Sequence, residues 1–258
     1  MPFSCTAGRL LVVLLSSILA GAPALAGDEA KPPTALDASY TEGQLMSIIS
    51  IDIKPGEDAA AARANYLRTA LGLAKPYGLR VFGSLTVTEV IFGDFKPRAV
   101  AFYAWPSLEA EAQFDALPEW LPVKATRPDG WLGLRFHDTV VADDLTLRFA
   151  SDKYYTMATA WVNPDRPNDY DTYLARIEPA LNAVGGRFVY KMIEPSFATL
   201  SKTETAPSRL TFVEWDTPNA LDAFLASKGF QQNAALLNSG TTAFELVRLS
   251  VPKPRTSR

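Results

Sequence analysis

A weak internal repeat limits the folds open to this chain of 258 residues: positions 66–116 recur in order at 173–226. Tyr66-Leu67, Gly78 and Arg80 match Tyr173-Leu174, Gly185 and Arg187 at an offset of 107. Pro97, Phe102, Trp105, Ala110, Phe114 and Ala116 match Pro207, Phe212, Trp215, Ala220, Phe224 and Ala226 at an offset of 110. Those six identities in the twenty positions 97–116 exceed a chance rate of roughly one in fifteen, and three of them are the uncommon residues Phe and Trp. The change of offset puts three extra residues in the polar stretch 201–207, where lengthening a loop costs little.

Each copy carries the same order of patterns. In the first, 45–53 is apolar and β-branched and ends at Lys54-Pro55-Gly56, which predicts a strand and a turn. Residues 57–77 have helical density up to Gly78, a C-cap residue. Strands are expected at 79–91 and 99–105, then a Ser107-capped helix burying Ala110, Phe114 and Leu117, then a closing strand at 131–141. The second copy gives strands at 153–162, 186–193, 209–215 and 242–251, with helices at 167–184 and 217–227. Both read βαββαβ, the ferredoxin-like unit whose helices cover one face of a four-stranded sheet. The bare face needs a partner. The expected class is α+β, with two tandem units packed sheet to sheet as a single-chain pseudo-dimeric α/β barrel.

The ends set the compartment. Arg9 precedes an apolar run, residues 10–20, and Ala24-Leu25-Ala26 supplies a small-x-small cleavage pattern, so 1–26 reads as a signal peptide and the protein as periplasmic or secreted. The run falls short of the ~20 residues that span a bilayer. Residues 27–44 and 252–258 read as a flexible arm and tail, and 142–152 as the linker between repeats 45–141 and 153–251. Cleavage removes Cys5, the single cysteine, which excludes disulfides and thiol chemistry. It also takes the net charge from −3 to −4, with no basic stripe for nucleic acid. The short linker holds the second unit at high effective concentration, so a monomer is expected.

The motif Phe212-Val213-Glu214-Trp215-Asp216-Thr217 with Ala220, Phe224 and Phe230 has a first-copy counterpart in Phe102-Tyr103-Ala104-Trp105-Pro106-Ser107 with Ala110, Phe114 and Trp120. Together with Gly185-Gly186-Arg187-Phe188, these residues resemble the dimeric α/β-barrel superfamily, and in particular a small domain family of unknown function. The resemblance implies a pocket between sheet and helices or inside the barrel. Its members include cofactor-independent monooxygenases, haem-binding peroxidases, chlorite dismutases and lactone isomerases, so it implies no single chemistry.

Candidate site residues follow from the pairing of copies. Arg80 and Arg187 occupy equivalent places, and two guanidinium groups facing a common lumen would grip an anionic ligand. Trp105 and Trp215 end equivalent strands and suit a planar apolar ligand. Tyr103 and Glu214, read as equivalent positions just before the shared Trp, would offer a proton donor and a base to one cavity. His137 is the only histidine, and alternation sets it with Arg135 and Thr139 opposite Leu132, Leu134 and Phe136. A lone His with Asp138 does not make a tetrahedral metal site, so no metal is expected, and no cofactor motif is present. Three functions remain: binding of a small apolar or aromatic molecule with an anionic or polar handle between the repeats, a cofactor-independent monooxygenase or isomerase, and a structural or interaction module with a filled core.

Overall fold

The computed structural model describes residues 35–193, 196–199 and 207–252. The predicted signal peptide and the tail from 253 lie outside them. The first unit comprises β2 (Leu45–Ile53), α1 (Glu57–Ala74), β3 (Arg80–Phe92), β4 (Ala99–Trp105), α2 (Leu108–Asp115), α3 (Trp120–Ala125), α4 (Arg127–Gly130) and β5 (Trp131–Val140). The second comprises β7 (Tyr154–Val162), α5 (Pro167–Ala183), β8 (Gly186–Ile193), β9 (Ser196–Thr199), β10 (Arg209–Trp215), α6 (Ala220–Leu225), α7 (Lys228–Gly240) and β11 (Thr241–Ser250). Each unit is preceded by one further strand, β1 (Ala35–Tyr40) or β6 (Leu145–Ala150).

Local chemistry accounts for the boundaries. Ser107 Oγ accepts the Ala110 amide at the start of α2, and Ser227 Oγ accepts that of Phe230 at the start of α7. Gly78, at φ 80°, takes the left-handed conformation that closes the turn after α1. The helix α7 is absent from the copy-by-copy reading of the sequence.

The strand order is β3-β4-β2-β5 in the first unit and β8-β10-β7-β11 in the second, which is the same order relative to the helices. The two meet edge to edge: β11 pairs antiparallel with β3, and β9 with β5, within one nine-stranded sheet. The ends of that sheet, β8 and β9, are consecutive in the chain, so the sheet curls back toward itself. Sheet-to-sheet stacking, as expected from the sequence, is thus replaced by shared edges around an enclosed face. Edge pairing satisfies backbone groups that stacking alone leaves open.

The enclosed face is filled. Met46, Ile48, Leu85, Val100, Phe102, Met157, Leu210, Phe212, Val247 and Leu249 form one buried cluster drawn from both units. Two further clusters lie under the helices, around Trp105, Phe114 and Trp120 in the first unit and around Tyr170, Trp215 and Phe224 in the second.

The arm read from the sequence as flexible is corrected over residues 35–40, which form a strand, and the segment read as a linker holds a second one. β1 and β6 pair in register from Ala35↔Ala150 to Tyr40↔Leu145. Leu36, Ala38, Tyr40, Leu147 and Phe149 face the enclosed cluster, while Asp37, Ser39, Thr146 and Arg148 face solvent. The alternation over six residues is short enough to pass for loop, yet it closes one end of the barrel.

Candidate functional site

Four antiparallel steps separate β8 from β3, so both strands run the same way and their first residues stand at one end of the barrel. Arg80 and Arg187 therefore share that end, as the repeat implied. They do not share a void, because the β1–β6 ribbon lies across it. Arg80 is exposed with its guanidinium 4.9 Å from the Phe82 ring. Arg187 donates from Nε (2.9 Å) and Nη2 (2.7 Å) to Glu214 Oε1. Glu214 Oε2 accepts the Tyr155 hydroxyl at 2.9 Å, and that hydroxyl accepts the Ala150 amide of the ribbon. Burial, opposed by the Ala150 amide and reinforced by Glu214, raises the Tyr155 pKa. The expected anion-binding pair is thus corrected: one arginine stacks and the other is neutralised by a carboxylate that is 5% exposed.

His137 faces the interior and is 1% exposed. Its Nε2 lies 3.3 Å from Ser50 Oγ. Burial, then Arg135, lowers its pKa to about 3, so it is neutral at any ordinary pH. The same register puts Val247 in its place in the second unit: His137 opposes Ile48, and Val247 opposes Met157.

Tyr103 and Glu214 do not face one cavity. The offset of 110 pairs Glu214 with Ala104 and Tyr103 with Val213, and strand alternation sends neighbours to opposite faces. Glu214 points to the interior, whereas Tyr103 points to the helices. There Tyr103 is one end of a row across three strands, opposite Ser47, which in turn opposes Asp138. Ser47 Oγ donates to the Asp138 carboxylate. Burial raises Asp138 to about 6 against the Ser47 hydrogen bond, with Glu111 of α2 adding to the rise. Burial, with Asp115, also raises Glu111. Trp105 packs 5.0 Å from Phe114 in this layer, as core.

The corresponding row of the second unit is Val213, Thr156 and Arg248. Thr156 Oγ1 accepts Trp215 Nε1 at 3.1 Å. Beside it lies a cavity of about 50 Å³ between α5, α6, α7 and the sheet. Tyr173, Phe188, Trp215, Phe224, Phe230 and Phe244 supply its aromatic wall, and Thr156 and Thr211 its hydroxyls. Tyr170 hydrogen-bonds Thr211. Among the described residues no Asp, Glu, His, Lys or Arg lines it. Of the candidates read from the sequence, Trp215 alone reaches this space. Phe230 was visible as part of the motif, while Tyr173 and Phe244 carried no signal that separates a lining from a core aromatic. A cleft of about 420 Å³ at the start of α1, along 54–62, is open and polar by comparison. Among the described residues no cluster of three His, Cys, Asp or Glu side chains could hold a metal ion.

Residues 153–249 match the family described as a domain of unknown function, DUF1330. The resemblance to the dimeric α/β-barrel superfamily stands on that match and on the α+β architecture with its large antiparallel sheet. No curated protein matches the chain. Similar solved structures include an anthrone oxidase-like protein at 15% identity, covering 83% of this chain and 94% of that one, with a TM-score of 0.48. A mutant chlorite dismutase from Candidatus Nitrospira defluvii has 10% identity, coverages of 82% and 93%, and a TM-score of 0.42. A cofactor-independent oxygenase from Streptomyces nogalater has 19% identity and covers 41% of this chain and 99% of its own, with a TM-score of 0.30.

Proposed function

We propose that the chain is a tandem pseudo-dimer, each half standing for one protomer of a two-unit barrel, and that its second half binds a small apolar molecule in the cavity under α5–α7. The cavity carries the binding reading, because an aromatic-walled space with two hydroxyls favours an apolar guest that water does not replace well. The filled interior moves the site from between the repeats to within one of them. The absence of a cationic lining residue removes the anionic handle from the ligand. Binding is preferred to catalysis, since among the described residues the one titratable side chain bordering the space is Tyr173, whose pKa burial raises.

Xenon and toluene bracket the guest's size. A protein-bound xenon-129 resonance is expected for the wild type and not for Ala158→Phe, which fills the wall. Toluene should raise the melting temperature of the wild type alone. Identical responses from both proteins would end the binding reading. We further propose that residues 1–26 direct export, with a mature chain starting at Gly27 and monomeric in solution. N-terminal sequencing and light scattering check these two points.

A further inference from the structure

On the twofold axis of a symmetric dimer, each residue meets its own copy. Among the described residues, two side-chain contacts join positions 110 apart, the spacing of the repeat. Phe102 and Phe212 meet with ring centroids 5.9 Å apart. Arg135 of β5 and Glu245 of β11 meet at the other end, Nη1 to Oε2 at 2.7 Å, with side chains 13% and 18% exposed. Phenylalanine tolerates its own copy. A charged residue does not.

We infer that Arg135 and Glu245 are the pairing determinant that commits the first half of the chain to the second and bars either from closing on its own kind. The inference rests on the tandem reading above. The two strands are not neighbours in the sheet, so the ion pair spans the enclosed end of the barrel. First-with-first pairing would set guanidinium against guanidinium there, and second-with-second would set carboxylate against carboxylate. In a site with little water, like charges at that separation are strongly unfavourable. The seat is built for this pair. The Arg135 guanidinium lies 4.0 Å from the Phe95 ring centre and 5.8 Å from that of Trp161. Glu245 packs its stem on Gly93, which has φ 106° and where a Cβ would come within 2.6 Å of Glu245 Cγ. The turn carrying Gly93 and Phe95 belongs to the first unit, so each half contributes to holding the other's charge. The partner this surface fits is therefore a half of opposite charge at the axis, which the chain supplies to itself.

The full-length chain tests this through Arg135→Glu, Glu245→Arg and the double exchange, each unfolded in urea. Each single variant should lose about a hundredfold in folding equilibrium constant, because it leaves a like-charge pair with little solvent. The double exchange should recover at least about tenfold over the sum of the singles. Should a single variant fail to fold, Arg135→Met, Glu245→Met and their combination replace the set. The matched apolar pair is then expected to exceed both of its singles. Additive losses in either set overturn the inference. Phe102→Leu and Phe212→Leu separate that result from failure of the tandem reading: matched losses there keep the pseudo-dimer, and unequal losses remove it as well.

Discussion

The row of three side chains under the helices is built alike and filled oppositely in the two units. In the first it is Tyr103, Ser47 and Asp138, with Glu111 above. In the second it is Val213, Thr156 and Arg248, with Arg248 held by Glu89 and Asp222. One layer keeps a carboxyl with a raised pKa, and the other keeps an aromatic cavity. Strand order and capping tolerate either filling, because a sheet needs only alternation and a helix only a stripe. The two units share the strand order and differ in the layer beneath the helices.

The sharpest way to break this comparison is to cut an equivalent ring from each layer. Phe114→Ala and Phe224→Ala should each cost about 3–5 kcal/mol in urea unfolding. Phe114 packs between Trp105 and Trp120, and Phe224 between Trp215 and Phe230. Only the second loss should be partly restored by toluene, since Phe224 lines the cavity of the second unit and Phe114 does not. Restoration in both would erase the functional difference.

A smaller effect separates two adjacent residues on opposite faces of β5. Burial holds the His137 pKa at about 3 in the folded chain, below its ordinary 6.5, so the unfolded chain binds its proton more readily and stability rises with pH between those values. Asp138 has a folded pKa of about 6 against 3.8, so the folded chain holds its proton and stability falls as pH rises from 3.8 to 6. The two slopes oppose each other in the wild type. His137→Val should expose the fall and Asp138→Asn the rise, as read from urea midpoints at pH 4 to 6.5. Parallel curves for the two variants would contradict their opposite environments.

The smallest effect lies at the caps. Ser107→Ala and Ser227→Ala should each cost about 1 kcal/mol, measured by chemical denaturation. Ser227→Ala should in addition weaken xenon binding, because α7 carries Phe230 into the cavity wall. Equal xenon affinity with and without the cap would place the guest elsewhere.

Much of the frame was readable before the structure. The strands at 99–105, 186–193 and 209–215 fall where β-branched and aromatic runs between turn residues put them. The ribbon was missed because Leu36, Ala38 and Tyr40 alternate for too few residues to stand out from a polar arm. The Tyr103–Glu214 pairing failed by one residue, and one residue along a strand is the other face. The same offset of 110, carried past Trp215, already aligns Arg135 with Glu245. Nothing in the linear pattern said that these two would touch.

The sequence by itself determined the repeat, most of the strands and helices of each copy and the apolar stripes, since these depend on residue spacing within a few positions. Tertiary structure decided which edges pair, that the interior is solid, that Arg187 is spent on Glu214, and that space remains under the helices of the second unit only in part filled by rings. Those outcomes depend on the closing of a sheet over contacts about a hundred residues apart, where packing volume and charge matching are set by both copies at once.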